Sequence, residues 1–377
     1  MGEKMVYLDH AATSYPKPPA VFHAVERCLR EAGGNPGRGA HHLASRAAEV
    51  IYDCREAAGA LFAAAPERVV FTSGATMSLN LVLQGLVRSG DHVLVDNMAH
   101  NAVYRPLHQL ASRGVITFDV YDATGTPDAV CRSLTEHTTP ATRMVIATHM
   151  SNICSLVEPV AWIGRYCREK GLLFVVDGAQ SAGHLPISVQ DMGITALCLP
   201  GHKGLLGPQG CGLLLFGEAA PDCVPLLTGG SGTHSLEPAM PQELPEHLEA
   251  GTLPTPAIAG LCAGLQLLQK ETVEKRYAHA CRLADHFCTE CSSIPGIHLY
   301  GDTTGAVLSF TLDGMLPAEV AAHLDTHGIC VRSGYHCAPL AHRTIGSTGT
   351  VRVSFGYGNT EKDVARLLTA LRGIAKA

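Results

Sequence analysis

From Val69 to Leu199, short apolar runs alternate with stretches whose apolar positions recur every three or four residues. The runs Val69–Phe71, His92–Val95, Val115–Val120, Met144–Thr148, Leu172–Asp177 and Ala196–Leu199 read as buried strands. Around and between them, Ser45–Phe62, Ala75–Val87, Ala102–Ser112 and Val160–Lys170 have the amphipathic spacing of surface-packed helices. Strand and helix in repetition predict an α/β fold with a mainly parallel sheet covered on both faces. Ligand sites in such sheets gather at the carboxyl ends of the strands. A zone rich in Gly, Pro, Ser and Glu follows, from Thr228 to Pro256. One long helical run, Ala257–Ser292, then leads into strands near Ala306–Leu312, Ile329–Arg332 and Thr350–Phe355 and helices near Pro317–His327 and Thr360–Ile374. Without strict alternation, that part predicts a smaller α+β unit. The expected division is a large α/β domain over 15–256 and a small C-terminal domain over 257–377 that also takes in residues 1–14.

Composition narrows the classes. The chain has 377 residues, 46% hydrophobic and 16% charged, which suits a compact enzyme and excludes a disordered chain. A formal net charge of -6 without a long basic run gives no footprint for nucleic acid or an anionic membrane. The segment Met1–Asp9 reads as mature sequence rather than a signal peptide, and no window reaches the roughly 18 apolar residues of a spanning helix. A soluble, cytoplasmic protein is expected.

The 14 cysteines are scattered over a long chain, unlike a secreted disulfide framework. Cys28, Cys54 and Cys167 fall in helix-like runs and read as small buried hydrophobes. Cys288 and Cys291 form a C-x-x-C on one helix face, and His323 and His327 form an H-x-x-x-H further on. Together they make a formal zinc set, yet no sequence feature joins the pairs, so no metal is expected.

Four stretches carry chemistry. Asp177, in Val175-Val176-Asp177-Gly178-Ala179-Gln180, ends an apolar strand; it either caps the next segment or faces a ligand. Lys203, in Pro200-Gly201-His202-Lys203-Gly204, lies in a Gly-rich, nearly uncharged loop where partial burial would make it a nucleophile toward aldehydes. A Schiff-base lysine plus an aspartate for the pyridinium nitrogen is what pyridoxal 5'-phosphate (PLP) requires. Thr72-Ser73-Gly74-Ala75-Thr76, between a strand and a helix, is an ordinary N-cap or a phosphate cradle. Cys337, in Arg332-Ser333-Gly334-Tyr335-His336-Cys337-Ala338-Pro339, is placed on a loop near His and Arg, where a cysteine can populate thiolate or be incidental. Arg352, a lone charge in the strand Val351–Phe355, needs an anion: a substrate carboxylate or a protein carboxylate.

At this point the chain resembles the class V aminotransferase-type PLP enzymes, in the cysteine desulfurase and selenocysteine lyase group. The likeness runs from Tyr7-Leu8-Asp9-His10-Ala11-Ala12 to Arg352-Val353-Ser354-Phe355, and the Arg-x-Gly-x-His-Cys run ending at Cys337 marks the sulfur-handling branch. The resemblance implies a fold type I PLP-dependent transferase that converts L-cysteine to L-alanine, with sulfur passing to Cys337 as a persulfide. It implies that Lys203 holds the cofactor and moves the Cα proton, Asp177 pairs with the pyridine nitrogen, and Gln180 approaches the phenolic oxygen. His100 would stack on the ring and help in acid–base steps. Ala75, Thr76 and His202 would hold the phosphate, with Thr255 reaching it across a homodimer interface. Asn152 and Arg352 would place the substrate, and a partner protein would accept the sulfur. Pro200 stands where the family usually has serine, which removes a phosphate contact. Open alternatives are L-selenocysteine as substrate, another amino acid as in an epimerase, or a non-catalytic scaffold that retained the fold.

Overall fold

The computed structural model describes residues 5–37 and 39–376. A seven-stranded sheet runs in the spatial order Val69–Thr72, Gly212–Phe216, Ala196–Pro200, Leu173–Asp177, Thr142–Thr148, His92–Asp96, Thr117–Tyr121. The last five of these are parallel to one another. Gly212–Phe216 runs antiparallel to both of its neighbours. The six sequence-expected strands are all present, each ending within two residues of its expected bounds.

Alternate side chains of this sheet enter two separate cores, as the two-residue period of a strand requires. Val70, Val95, Ile146, Val175 and Leu214 pack with the helices Ala75–Leu86 and Asn101–Ser112. Phe71, Leu94, Val145, Val176 and Leu213 pack on the other face with His42–Phe62, Val160–Lys170 and Thr255–Glu271. Burying a side chain of this kind contributes about 1.5–3 kcal/mol relative to leaving it exposed, so both faces stabilise the sheet heavily.

Gly212–Phe216 escaped the sequence reading, although its three leucines are fully buried. It matters, because its reversed direction lets the chain leave Pro200 and return at Gly212 through a short loop. That loop carries Lys203. The helix Pro127–His137 was also unread, and Pro19–Glu31 was read only as a helix-like run around Cys28, because each buries only two residues and leaves a narrow apolar stripe.

A second, antiparallel sheet has the order Arg332–Gly334, Thr350–Ser354, Val307–Leu312, Ile297–Tyr300. The expected strand Ile329–Arg332 is divided: Ile329–Cys330 pairs in parallel with Val6–Tyr7, and Arg332–Gly334 joins the antiparallel sheet. The long helical run is also two helices, Thr255–Glu271 and Val273–Cys291, broken at Thr272, whose φ of 63° is left-handed. The first packs on the large sheet and the second on the small core around Phe310 and Val353. Val6 and Leu8 join that small core; residues 1–4 of the expected N-terminal contribution lie outside the described residues.

The edge strand Val69–Thr72 is held by a buried ion pair that the sequence did not announce. Arg55 meets Glu249 at 2.6 Å and also donates to the Val69 carbonyl, while Glu249 accepts the Phe71 amide at 2.6 Å. This fixes the Gly- and Pro-rich 228–256 segment against the sheet.

Candidate active site

A cavity of about 200 Å³ opens at the carboxyl ends of the parallel strands. Nine of the residues singled out above line it: Ala75 and Thr76 at one end, His202, Lys203 and Pro200 at another, with His100, Asn152, Asp177 and Gln180 between them. The strand ends account for this convergence. Leu173–Asp177 delivers Asp177, Thr142–Thr148 leads to Asn152, and Ala196–Pro200 leads into the lysine loop.

Asp177 is 2% exposed. Its Oδ1 accepts the Ala179 amide at 3.0 Å, and among the described residues its Oδ2 accepts no donor. Burial pushes this carboxyl up, opposed by the Ala179 N–H and by Lys203. Among the described residues the Lys203 amine has no hydrogen-bond partner, and burial brings it down to about 8 against the pull of Asp177. An amine and a carboxylate with free valences therefore face one cavity. The loop that holds the amine is packed at backbone distance: a Cβ on Gly204 would lie 2.1 Å from the Ala182 carbonyl.

His100 caps the Asn101–Ser112 helix by accepting the Ala102 amide at Nδ1, 3.0 Å away, so its proton sits on Nε2. Burial, then Lys203 and Arg332, lower it to about 4, and the ring is neutral at physiological pH. In that state it presents a fixed N–H donor. His202, similarly lowered to about 4, bonds Thr13 through Nδ1 at 3.0 Å. The Gln180 amide donates to the Ala11 carbonyl at 2.9 Å, tying the N-terminal segment to the cavity wall. Ala75 and Thr76 are the first two residues of their helix. Their N–H groups precede the first helical acceptors and are free for an anion.

Cys337 and Arg352 are not among the lining residues but are tied to them. Cys337 is the exposed member of the described cysteines. Its own carbonyl accepts the Asn101 amide at 2.7 Å, and the preceding carbonyl, of His336, accepts the Asn152 side-chain amide at 2.8 Å. His336 and Cys337 both have left-handed φ, 48° and 58°, a strained turn that these two anchors hold. The Arg332 guanidinium lies 3.7 Å from the Cys337 sulfur. Arg352 is 1% exposed. Of its two readings, the structure forms the ion pair: Nη2 donates to Asp9 at 2.8 Å, Nη1 donates to the Asn152 carbonyl at 3.1 Å, and Nε is left without a partner. Asp9, a lone acid just after an apolar pair, was quoted in the resemblance without a role. Thr255 stands apart from the cavity, at the start of its helix, bonded weakly to the Leu253 carbonyl at 3.4 Å. Cys288 and Cys291 share the Val273–Cys291 helix, and His323 and His327 lie at the Pro317–Thr326 helix; the described residues contain no His, Cys, Asp or Glu cluster of metal-binding form.

The Aminotransferase class-V family profile matches residues 6–367. The chain belongs to that family. Within it, the chain is 35% identical over 381 residues to a probable cysteine desulfurase of Methanothermobacter thermautotrophicus, covering 98% of this chain and 94% of the relative. Its fold matches the apo structure of a cysteine desulfurase from Thermococcus onnurineus NA1 with TM-score 0.90 and 28% identity, over 99% of this chain and 95% of that one. It also matches the cysteine desulfurase CsdA (S-sulfonic acid) from Escherichia coli with TM-score 0.89 and 29% identity, over 99% and 94%. This class V chain therefore has the fold type I architecture expected of it, α/β with a mainly parallel sheet and a smaller antiparallel-sheet domain.

Proposed function

We infer that this chain is a PLP-dependent cysteine desulfurase that converts L-cysteine to L-alanine and keeps the sulfur on Cys337 as a persulfide. The observation that carries this reading is the attachment of an exposed thiol, beside Arg332, to the wall of the Lys203–Asp177 cavity. The relatives named above as cysteine desulfurases support it.

The residues fit PLP. Asp177 has an unused oxygen for a protonated ring nitrogen, Lys203 has an unbonded amine for the aldehyde, and the Ala75 and Thr76 amides with His202 offer donors for a phosphate. When bound, PLP supplies an electron sink that acidifies the substrate Cα proton. Lys203 takes that proton. Neutral His100 would stack on the ring and offer its Nε2–H, and Gln180 would approach the phenolic oxygen. Arg352 retains free N–H donors with which it and Asn152 orient the substrate carboxylate. The Cys337 thiolate attacks the substrate sulfur; an S–S bond forms as the Cβ–S bond breaks, and the electron pair of the broken bond stays with the carbon. Arg332 balances the negative sulfur before attack.

The rest of the reading concerns partners. The persulfide is handed to an acceptor protein, and Thr255 completes the phosphate cradle of the partner in a homodimer. The reaction takes place in the cytoplasm; no helix among the described residues is long and apolar enough to cross a membrane. The test is alanine released from L-cysteine by PLP-loaded protein and by Cys337→Ala. The reading expects alanine from the first and none from the second. Equal alanine from both overturns the role of Cys337. Alanine from L-selenocysteine but not from L-cysteine, in either protein, replaces the desulfurase reading with a selenocysteine lyase.

A further inference from the structure

Beneath the cavity lie two carboxyl groups that the proposed reaction leaves unused. Asp96 ends the strand His92–Asp96, and Glu158 sits on the loop before the helix Val160–Lys170; they are 0% and 1% exposed. Three donors converge on Asp96. The Met98 amide reaches Oδ1 at 2.7 Å, and the amide and hydroxyl of Thr148 each reach Oδ2 at 2.9 Å. Glu158 has one side-chain donor, the Tyr121 hydroxyl at 2.9 Å on Oε2. Among the described residues its buried Oε1 has no donor, and the two carboxyls share a neighbour, since Tyr121 is also the cross-strand partner of Asp96.

No cation relieves them. Neither carboxyl forms a salt bridge among the described residues. The titratable groups that act on the pair are Tyr121 from its strand and Asp177 from the next strand but one, while Cys167, on the helix behind, acts on Tyr121. His149, buried and lowered to about 4, is neutral. Two neighbouring buried carboxyls in such a setting cannot both ionise. Three N–H and O–H donors aimed at Asp96 assign it the charge, and the orphan Oε1 of Glu158 is where the proton fits.

We propose that Glu158 is a carboxylic acid in the folded protein, donating from Oε1 to Asp96, and that the pair is a positioning device for His100, Thr148 and Asp177. Its contacts reach each of them. The Asp96–Met98 bond closes the turn that leads to His100. Thr148 lines the cavity and sits opposite Asp177 in register. The Glu158 amide donates to the His149 carbonyl at 3.0 Å, and the His149 amide donates to the Asp177 carbonyl at 3.1 Å. One proton also limits the pair to a single negative charge beside Asp177. A second charge there would oppose the ionised Asp177 on which the PLP reading rests. Burial acts in the same sense, raising Asp96 to about 6 and Glu158 well above the carboxylate range.

The test uses PLP-loaded wild type, E158Q and E158L. Glutamine keeps an N–H for Asp96 and a carbonyl for Tyr121; leucine keeps neither. Infrared spectra at neutral pH are expected to show a protonated-carboxyl band in wild type that disappears in E158Q. Urea unfolding supplies the linkage. A carboxyl whose folded value lies above its unfolded value near 4.5 stabilises the fold below that pH and loses the contribution as pH rises. E158Q carries no such proton, so its unfolding constant relative to wild type is expected to fall by up to tenfold per pH unit above 4.5, until the folded Glu158 itself titrates. The pH midpoint of the bound cofactor's visible band is expected to stay put in E158Q and to move in E158L. An absent acid band, or parallel stability curves for wild type and E158Q, overturns the shared proton. Unmoved visible bands in both variants overturn the positioning role. The infrared and urea readings are independent of turnover, so an inactive protein would count against the desulfurase reading and leave this inference to its own data.

Discussion

At the scale of single residues, the site depends on groups whose charge is set by what surrounds them. Lys203 is brought down to about 8 by burial, so the neutral, nucleophilic amine gains population as pH rises toward that value and dominates above it. Capture of added PLP by cofactor-free protein, followed by visible absorbance, should quicken up to tenfold per pH unit below about 8 and then level. Lys203→Ala should show no such band. Pro200 contributes no N–H or hydroxyl to the cavity it lines. Restoring one donor with Pro200→Ser should slow loss of PLP on dialysis by about two- to tenfold, the worth of one hydrogen bond. Lys203 and Asp177 were legible in the sequence because a charge among apolar and glycine neighbours has to be explained. Asp9, Asp96 and Glu158 were not, since their partners come from strands that are distant along the chain. The ion pair of Arg352 with Asp9 joins residues 343 positions apart, and no local pattern records it.

At the scale of elements, the parallel strands were readable because continuous apolar runs are what burial on both faces demands. Gly212–Phe216 has the same character, but it follows the lysine loop without an intervening helix and so broke the expected alternation. Thr272 ended a helix that periodicity alone extended, because a left-handed residue leaves the apolar spacing on either side intact. The buried Arg55–Glu249 pair gives the element-scale prediction. Glu249→Ala strands a buried guanidinium and should cost about 3–5 kcal/mol in chemical denaturation, whereas replacing both residues with apolar ones of similar volume should cost much less. Equal losses in the single and double variants would remove the pair from the account of how the 228–256 segment is held. Gly204→Ala should also destabilise, by about 1–3 kcal/mol, since its methyl group would meet the Ala182 carbonyl.

At the scale of the whole molecule, the large sheet packs into two cores and the small antiparallel sheet into a third, and the two helices that meet at Thr272 pack on different ones. We propose that the domains divide there rather than at residue 256, with the N-terminal strand Val6–Tyr7 returning to the small unit. The parts of the proposed site come from both: Lys203 and Asp177 from the large sheet, Cys337 and Arg352 from the small one. Asn152 and Asn101 pin the cysteine loop across that division. The central claim is that sulfur removed from cysteine rests on Cys337. Its most direct test is mass spectrometry of the Cys337 peptide after PLP-loaded protein has met L-cysteine without reductant. The account predicts a gain of one sulfur atom on that peptide in wild type, matched by alanine formed, and none in Lys203→Ala. Alanine formed while the Cys337 peptide keeps its original mass would contradict it.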